Sequence, residues 1–284
     1  MIVVTGATGK LGRLVVEQLL KTVAPGEITA AVRTPSKAAD LAARGVVVKE
    51  ADYTRPATLD AALAGAQKVL LISSSEVGQR ASHHQSVIAA AKKAGVKLLA
   101  YTSILRADSN RMALAGEHKA TEEMIKASGV PWVMLRHGWY LENHTENLAP
   151  ALQYGAMMGS AGEGRFASAS RADFAAADAA VLVGDGHAGK TYELAGDHPF
   201  TMAQLAAEVA RQAGKPVVYN NLPPAEYLKV LAGAGLPGPF AEILVDADVH
   251  AAQGALDDTS GSLHALTGRS TTTLKDAVAA GLKR

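Results

Sequence analysis

Apolar positions in the first half of the chain follow two alternating periods. Short β-branched or nearly all-apolar runs at residues 2–5, 28–32, 45–48, 68–72, 96–101 and 132–135 predict six strands. Between them lie stretches of helical character at 11–20, 36–44, 57–64, 83–94 and 117–128; in the first, Leu11, Val15 and Leu19 form a stripe. Runs such as Lys68-Val-Leu-Leu-Ile72 are apolar on both faces, which suits central parallel strands covered by helices on each side. Strand–helix alternation with short connections predicts an α/β fold built on a doubly wound parallel sheet.

Beyond Asn143 the rhythm loosens. Residues 155–164 are glycine-rich and read as a loop with a short strand. Residues 172–183, 202–214, 223–234 and 240–256 read as helices, and 191–194 as one more strand. The expectation is a sheet domain over 1–150 and a smaller, mostly helical C-terminal lobe over 151–284 that shapes a substrate pocket. The boundary is approximate, and segments are free to cross it.

Composition changes this picture mainly by exclusion. The 284 residues are 48% hydrophobic and 19% charged, which is ordinary for a globular protein. There is no cysteine, so disulfides, thiolate metal sites and cysteine nucleophiles are ruled out, and a reducing, cytoplasmic compartment is expected. The net charge is +1 and no Lys/Arg cluster stands out, which argues against a nucleic-acid partner. No run reaches the roughly 18 apolar residues of a membrane span. The N-terminus lacks a basic leader and glycines begin at Gly6, so the chain is expected to start directly with structure. The nine histidines are scattered, and no metal constellation is expected. The oligomeric state stays open, a homo-oligomer included.

The sharpest pattern is Thr5-Gly6-Ala7-Thr8-Gly9-Lys10-Leu11-Gly12, between the first strand and the first helix. A dinucleotide pyrophosphate sits at this place in a Rossmann fold. Gly6 permits the tight turn, Gly9 lets backbone approach phosphate, and Gly12 lets the helix pack close to the sheet. The helix N-terminus adds unpaired N–H groups and a partial positive charge. The spacing is Gly-x-x-Gly-x-x-Gly. At the end of the second strand, an acidic residue would hold the ribose 2′-hydroxyl of NAD, whereas an arginine suits the 2′-phosphate of NADP. The chain has Arg33, with Lys10 and Lys37 able to add charge, so NADP(H) is expected. Asp52 after the third strand can meet the adenine amino group. Ser73, Ser74 and Ser75 after the fourth can pass under a ribose. Each has a plainer reading as turn chemistry.

Together with the glycine loop and Arg33, the strings Leu71-Ile-Ser-Ser-Ser-Glu-Val-Gly-Gln-Arg80 and Leu135-Arg-His-Gly-Trp-Tyr-Leu-Glu-Asn143 resemble the NmrA-like atypical short-chain dehydrogenases/reductases. Within them, the resemblance is to the bacterial NADPH:quinone oxidoreductases of type 2, whose relatives include triphenylmethane dye reductases. It runs along essentially the whole chain and includes Ser168-Ala-Ser-Arg-Ala-Asp-Phe174. It implies a cofactor site made of Gly6, Ala7, Thr8, Gly9, Lys10 and Leu11, with Arg33 and the three serines. Past the sixth strand, His137, Gly138, Trp139, Tyr140, Leu141 and Glu142 are implied to wrap the nicotinamide, and Ser168 to close that wall. Lys10 stands where such relatives often carry glutamine, and His137 where they often carry proline or asparagine.

Ordinary short-chain dehydrogenases use a Tyr-x-x-x-Lys pair on the helix after the fifth strand. Here that helix offers His118 and Glu122 instead, which argues against an alcohol dehydrogenase or sugar epimerase. A quinone needs less help, because hydride addition gives a stabilised aromatic oxyanion that solvent can protonate. Orientation of cofactor against acceptor is then the main task. Tyr140 and Asn143 are the candidate catalytic residues, and Trp139 with Tyr140 can stack on a flat acceptor. The expected activity is flavin-free, metal-free reduction of a quinone by NADPH. The competing readings are an NADP(H)-binding redox sensor without turnover and a dye reductase.

Overall fold

The computed structural model describes residues 1–283. The chain opens with strand β1 (Ile2–Thr5), helix α1 (Lys10–Leu19) and β2 (Ile28–Val32). A 3-10 turn over Pro35–Ala38 leads into α2 (Ala39–Ala43), then β3 (Val47–Glu50), α3 (Pro56–Leu63) and β4 (Lys68–Leu71). Next come α4 (Arg80–Lys93), β5 (Leu98–Ile104), α5 (Ala113–Ser128) and β6 (Trp132–His137). The chain then passes through α6 (Leu141–Thr145), α7 (Ala149–Tyr154), β7 (Ala156–Gly159) and β8 (Arg165–Phe166). It continues with α8 (Arg171–Val183), β9 (Lys190–Leu194), β10 (Phe200–Thr201), α9 (Met202–Ala213) and β11 (Val218–Asn221). Helices α10 (Pro224–Gly233), α11 (Gly238–Ala251), α12 (Ser262–Thr267) and α13 (Leu274–Gly281) complete it.

The expected doubly wound sheet is present. Seven strands lie in the order β3-β2-β1-β4-β5-β6-β9, every neighbouring pair parallel. The order reverses direction at β1 and β4, and the crevice at such a switch point, outside the carboxyl ends of the strands, is where ligands of open α/β sheets sit. One face carries Val4, Leu70, Ala100, Val133 and Leu135 into a core closed by α1 and α8. The other carries Val3, Val69, Leu71, Leu99 and Met134 into a core closed by α3, α4 and α5. Buried strands with both faces apolar are what the sequence pattern required.

Two segments from beyond residue 150 belong to the sheet. Helix α8 packs along α1, and β9 pairs with β6 as the seventh strand. Helix α12 covers α8 and β9. The chain thus leaves for the second lobe, returns to finish the sheet, and leaves again. A capping box starts α8, where Ser170 and Asp173 satisfy each other's backbone N–H groups. Thr201 and Gln204 do the same for α9. Among the described residues the second lobe is helical apart from two small ribbons, parallel β7–β11 and antiparallel β8–β10.

Local differences from the sequence reading have simple causes. Gly45 turns with φ +86°, so β3 begins at Val47. Helix α5 begins at Ala113, ahead of the expected 117, and α4 at Arg80, ahead of 83. The first turn of α4, Arg80-Ala-Ser-His83, is polar and carries no apolar stripe, and that of α5, Ala113-Leu-Ala-Gly116, ends in a glycine and has no side-chain cap, so neither start shows in the periodicity.

Candidate dinucleotide site

A cavity of about 350 Å³ opens outside the carboxyl ends of β1, β2, β3 and β4. Gly6, Thr8, Gly9, Lys10 and Leu11 line it, with Arg33, Asp52, Ser73, Ser74 and Ser75. Ten residues proposed from separate stretches of sequence therefore share one wall. Ala7, the remaining loop residue, is fully buried below it.

The glycine loop is shaped for an anion. Gly6 has φ +59°, a conformation that costs a Cβ-bearing residue strain. Gly9 N–H donates to the Gly6 carbonyl at 2.9 Å, closing the turn. A Cβ on Gly12 would lie 2.4 Å from the Gly6 carbonyl oxygen and 2.8 Å from Ala7 Cα, so only glycine lets α1 sit this close to the loop. No side chain caps α1 at Gly9, which leaves its first N–H groups for a ligand. The geometry fits a dinucleotide pyrophosphate.

Hydroxyls tie the strand ends beneath the cavity together. Thr5 donates from Oγ1 to the Leu70 carbonyl (3.1 Å) and accepts from Ile72 N–H (3.1 Å), so it ties the β1 end to the β4 end. Tyr53 donates to Thr5 Oγ1 at 2.6 Å, and burial pushes its phenol up to about 12. Asp52 accepts from the Thr54 backbone (2.9 Å) and hydroxyl (2.8 Å), contacts that hold its carboxyl below the usual range. It is a turn-stabilising aspartate at the cavity wall, as the plainer sequence reading has it.

Ser74 is clamped from behind. Its N–H donates to His84 Nε2 (2.9 Å), and its carbonyl accepts from Arg80 Nε (2.6 Å). Thr121 gives its own proton to the Glu117 carbonyl, so at the 2.9 Å contact with His84 the ring Nδ1 must donate. That fixes His84 as the neutral Nδ1–H tautomer. Burial first, then Arg80, pushes its pKa down to about 3. His118 lies deeper: Nδ1 meets Tyr101 Oη at 2.7 Å and Arg80 Nη1 points at Nε2 from 3.3 Å. Burial and Arg80 hold its pKa well below the usual histidine value. Glu122 is fully engaged, accepting Arg136 Nε (2.9 Å) and Nη2 (2.8 Å) as well as the Ser103 hydroxyl (2.7 Å). The pair that replaces Tyr and Lys of ordinary relatives is thus sunk in the core.

Past β6 the structure sorts the remaining residues. Side chains alternate along the strand, so His137 faces α8 as Val133 and Leu135 do. Its ring stacks on Phe174 at 4.5 Å and its Nε2 lies 2.9 Å from Asp178 Oδ1. Any contact to a ligand from this position falls to its backbone. Gly138 is pressed between Leu105, Ala167 and the Leu194 carbonyl. Trp139 is half-buried against the second-lobe core, and Leu141 is buried in it. Ser168 is buried too, its hydroxyl 3.4 Å from His144 Nε2.

Tyr140, Glu142 and Asn143 form a cluster that sequence reasoning left without its organiser. The Arg171 guanidinium lies 4.6 Å over the Tyr140 ring and donates to Asn143 Oδ1 (3.1 Å). The Glu142 carboxylate accepts the Arg171 backbone N–H at 3.0 and 3.1 Å. Burial, with Asp178 nearby, raises the Tyr140 phenol above its ordinary value, so it stays a proton-bearing donor at neutral pH. Arg171 lies in the string Ser168–Phe174 that carried part of the resemblance; its role needed the fold. Tyr53, Glu76 and His83 also line the cavity without having been assigned a role.

Comparisons with known proteins agree with this geometry. Residues 6–184 match the family described as NAD(P)H-binding. The chain is 52% identical to quinone oxidoreductase 2 of Escherichia coli K12, over 98% of this chain and 97% of that one. The solved structure of NADPH-dependent quinone oxidoreductase 2 from Escherichia coli, complexed with NADPH, superposes with a TM-score of 0.98 at 51% identity, all of both chains covered. Triphenylmethane reductase of Citrobacter sp., complexed with NADP(H), superposes with a TM-score of 0.96 at 38% identity, over 99% of this chain and 100% of that one.

Proposed function

Because this chain belongs to the NAD(P)H-binding family, among the NmrA-like atypical short-chain dehydrogenases/reductases, we propose that it is an NADPH-dependent reductase of quinones that works by direct hydride transfer, without flavin or metal. One observation carries the reading. A glycine-loop cavity ending at Arg33 shares the carboxyl edge of the sheet with the Tyr140–Asn143–Arg171 cluster past β6. When bound, the nicotinamide supplies the hydride. The protein's residues orient and stabilise. The loop and the N-terminus of α1 hold the pyrophosphate, and Arg33 faces the 2′-phosphate. Arg171 fixes the Tyr140 ring, and the Tyr140 phenol and the Asn143 amide donate toward the oxygen on which charge develops. His118 and Glu122 take no part in proton transfer, since their polar atoms are committed to Tyr101, Arg80, Arg136 and Ser103.

The reading extends to a cytoplasmic location and to a small aromatic acceptor in place of nucleic acid or membrane; no helix among the described residues is long and apolar enough to cross a membrane. The test is NADPH oxidation by the purified, flavin-free protein in the presence of a chelator, with and without a benzoquinone or naphthoquinone. Acceptor-dependent oxidation is expected. Tight NADPH binding without any acceptor-dependent oxidation would replace this reading by that of a redox sensor. The likeness to triphenylmethane reductase supports a second acceptor class, cationic triphenylmethane dyes, to be run in the same assay.

A further inference from the structure

The end of β2 offers Arg33 and no acidic residue. The fold brings one there from the loop after β4, where Glu76 Oε1 lies 3.0 Å from Arg33 Nη1. Both side chains line the cofactor cavity. The carboxylate is presented by a built turn. Glu76 N–H donates to Ser74 Oγ at 3.1 Å, and that hydroxyl lies 3.3 Å from His83 Nδ1. Ser74 itself is held by His84 and Arg80. Glu76 Oε2 is 4.0 Å from His83 Nε2.

Resting on the NADPH reading above, we propose that Glu76 is a specificity-determining residue: it competes with the 2′-phosphate for Arg33 and so limits the preference for NADPH over NADH. A dianionic phosphate arriving at Arg33 must displace the carboxylate or sit beside it, and either opposes binding. A free 2′-hydroxyl does neither. It leaves the Arg33–Glu76 pair intact and finds in Glu76 an acceptor, the part played elsewhere by an acid at the end of the second strand. The ribose pocket therefore holds one group for each cofactor, drawn from different strand ends.

The two side chains are 71% and 46% exposed, so the effect is moderate and salt-dependent. Glu76→Gln is expected to tighten NADPH and leave NADH unchanged or weaker, raising the ratio of the NADH to the NADPH dissociation constant by roughly two- to fivefold. Glu76→Lys should raise it further. The measurement is calorimetric titration of each cofactor without acceptor, at low and high salt. High salt should shrink the difference between wild type and variants. On an Arg33→Ala background the NADPH gain from Glu76→Gln should fall. An unchanged ratio, an equal change for both cofactors, or a full-sized gain without Arg33 would overturn the proposal. Normal quinone turnover of the wild type with an unchanged ratio in the variants sinks it alone; the expected shift in ratio without any quinone turnover sinks the functional reading and leaves it standing.

Discussion

Gly12→Ala tests the glycine loop with the smallest change available. The added methyl would meet the Gly6 carbonyl oxygen at 2.4 Å, while ordinary contact starts near 3.4 Å. Its other near neighbours are Ala7 Cα and Gly6 C, so backbone, not a flexible side chain, must give way by about 1 Å. Overpacking of this kind costs about 1–3 kcal/mol, offset by about 1 kcal/mol because alanine is the better helix former. A net loss of about 1 kcal/mol lowers Tm by roughly 2–4 °C in a chain of this size. Binding should suffer more. A shift of that size misplaces the N–H groups that face phosphate, and charge-assisted hydrogen bonds are worth about 1.5–3 kcal/mol each. NADPH and NADH should therefore both weaken by roughly ten- to a hundredfold. Gly116→Ala is the internal control: it also lies within a helix, α5, with nothing within 4 Å of the new methyl. It should bind both cofactors normally and be as stable as wild type or more so. Normal affinity in Gly12→Ala, or equal losses in the two variants, would refute the reasoning.

Four further outcomes follow from the same structure. Arg33→Ala should weaken NADPH roughly tenfold and NADH little; equal loss for both would mean that Arg33 only supports the fold. Glu122→Gln breaks a buried bidentate pair with Arg136, at a cost of about 3 kcal/mol or roughly 6–12 °C in Tm. Quinone turnover in Glu122→Gln and in His118→Ala should stay above about a tenth of wild type, a barrier change under about 1.4 kcal/mol, and a hundredfold loss in a folded variant would make either a proton carrier. The Asp248 carboxyl is pushed up from 3.8 to about 6 by burial, so between those values the folded state binds more protons than the unfolded one and loses stability as pH rises, in total about 3 kcal/mol. Asp248→Asn keeps an acceptor for Ser160 N–H and should raise Tm at neutral pH, with the gain gone near about pH 4. The buried neutral histidines act in the opposite sense: His84, His118 and His144 have lowered pKa values, so their contribution is lost as pH falls below 6.5. They are common to both proteins and cancel in the comparison, so a gain that persists in acid would show that Asp248 is not the group responsible.

What the sequence disclosed was local. The alternation of periods, the glycine loop and Arg33 depend on neighbours a few residues apart, and each lies where its pattern placed it. The roles of Glu76, Arg171 and His84 arise from partners 43, 28 and 10 residues away, and no spacing rule announces them. Side-chain direction was the other hidden variable. His137 was expected among the residues around the nicotinamide, yet strand alternation turns its ring onto Phe174 and Asp178. His118 and Glu122 share a helical face, as their spacing requires, but whether that face met solvent or core depended on which side of the sheet α5 covers.

The return of α8 and β9 to the sheet also has a consequence for the order in which a growing chain can fold. Synthesis through residue 150 yields six of the seven strands, yet β6 is then an unpaired, largely apolar edge. The face of α1 formed by Val15, Val16 and Leu19 is likewise uncovered until Phe174, Val181 and Leu182 arrive. The helix that opens at the glycine loop thus acquires its backing only after about two thirds of the chain has left the ribosome. Until β9 is paired, the nascent protein carries an adhesive strand edge and a glycine-loop helix without its cover together, which makes this interval the one most exposed to aggregation.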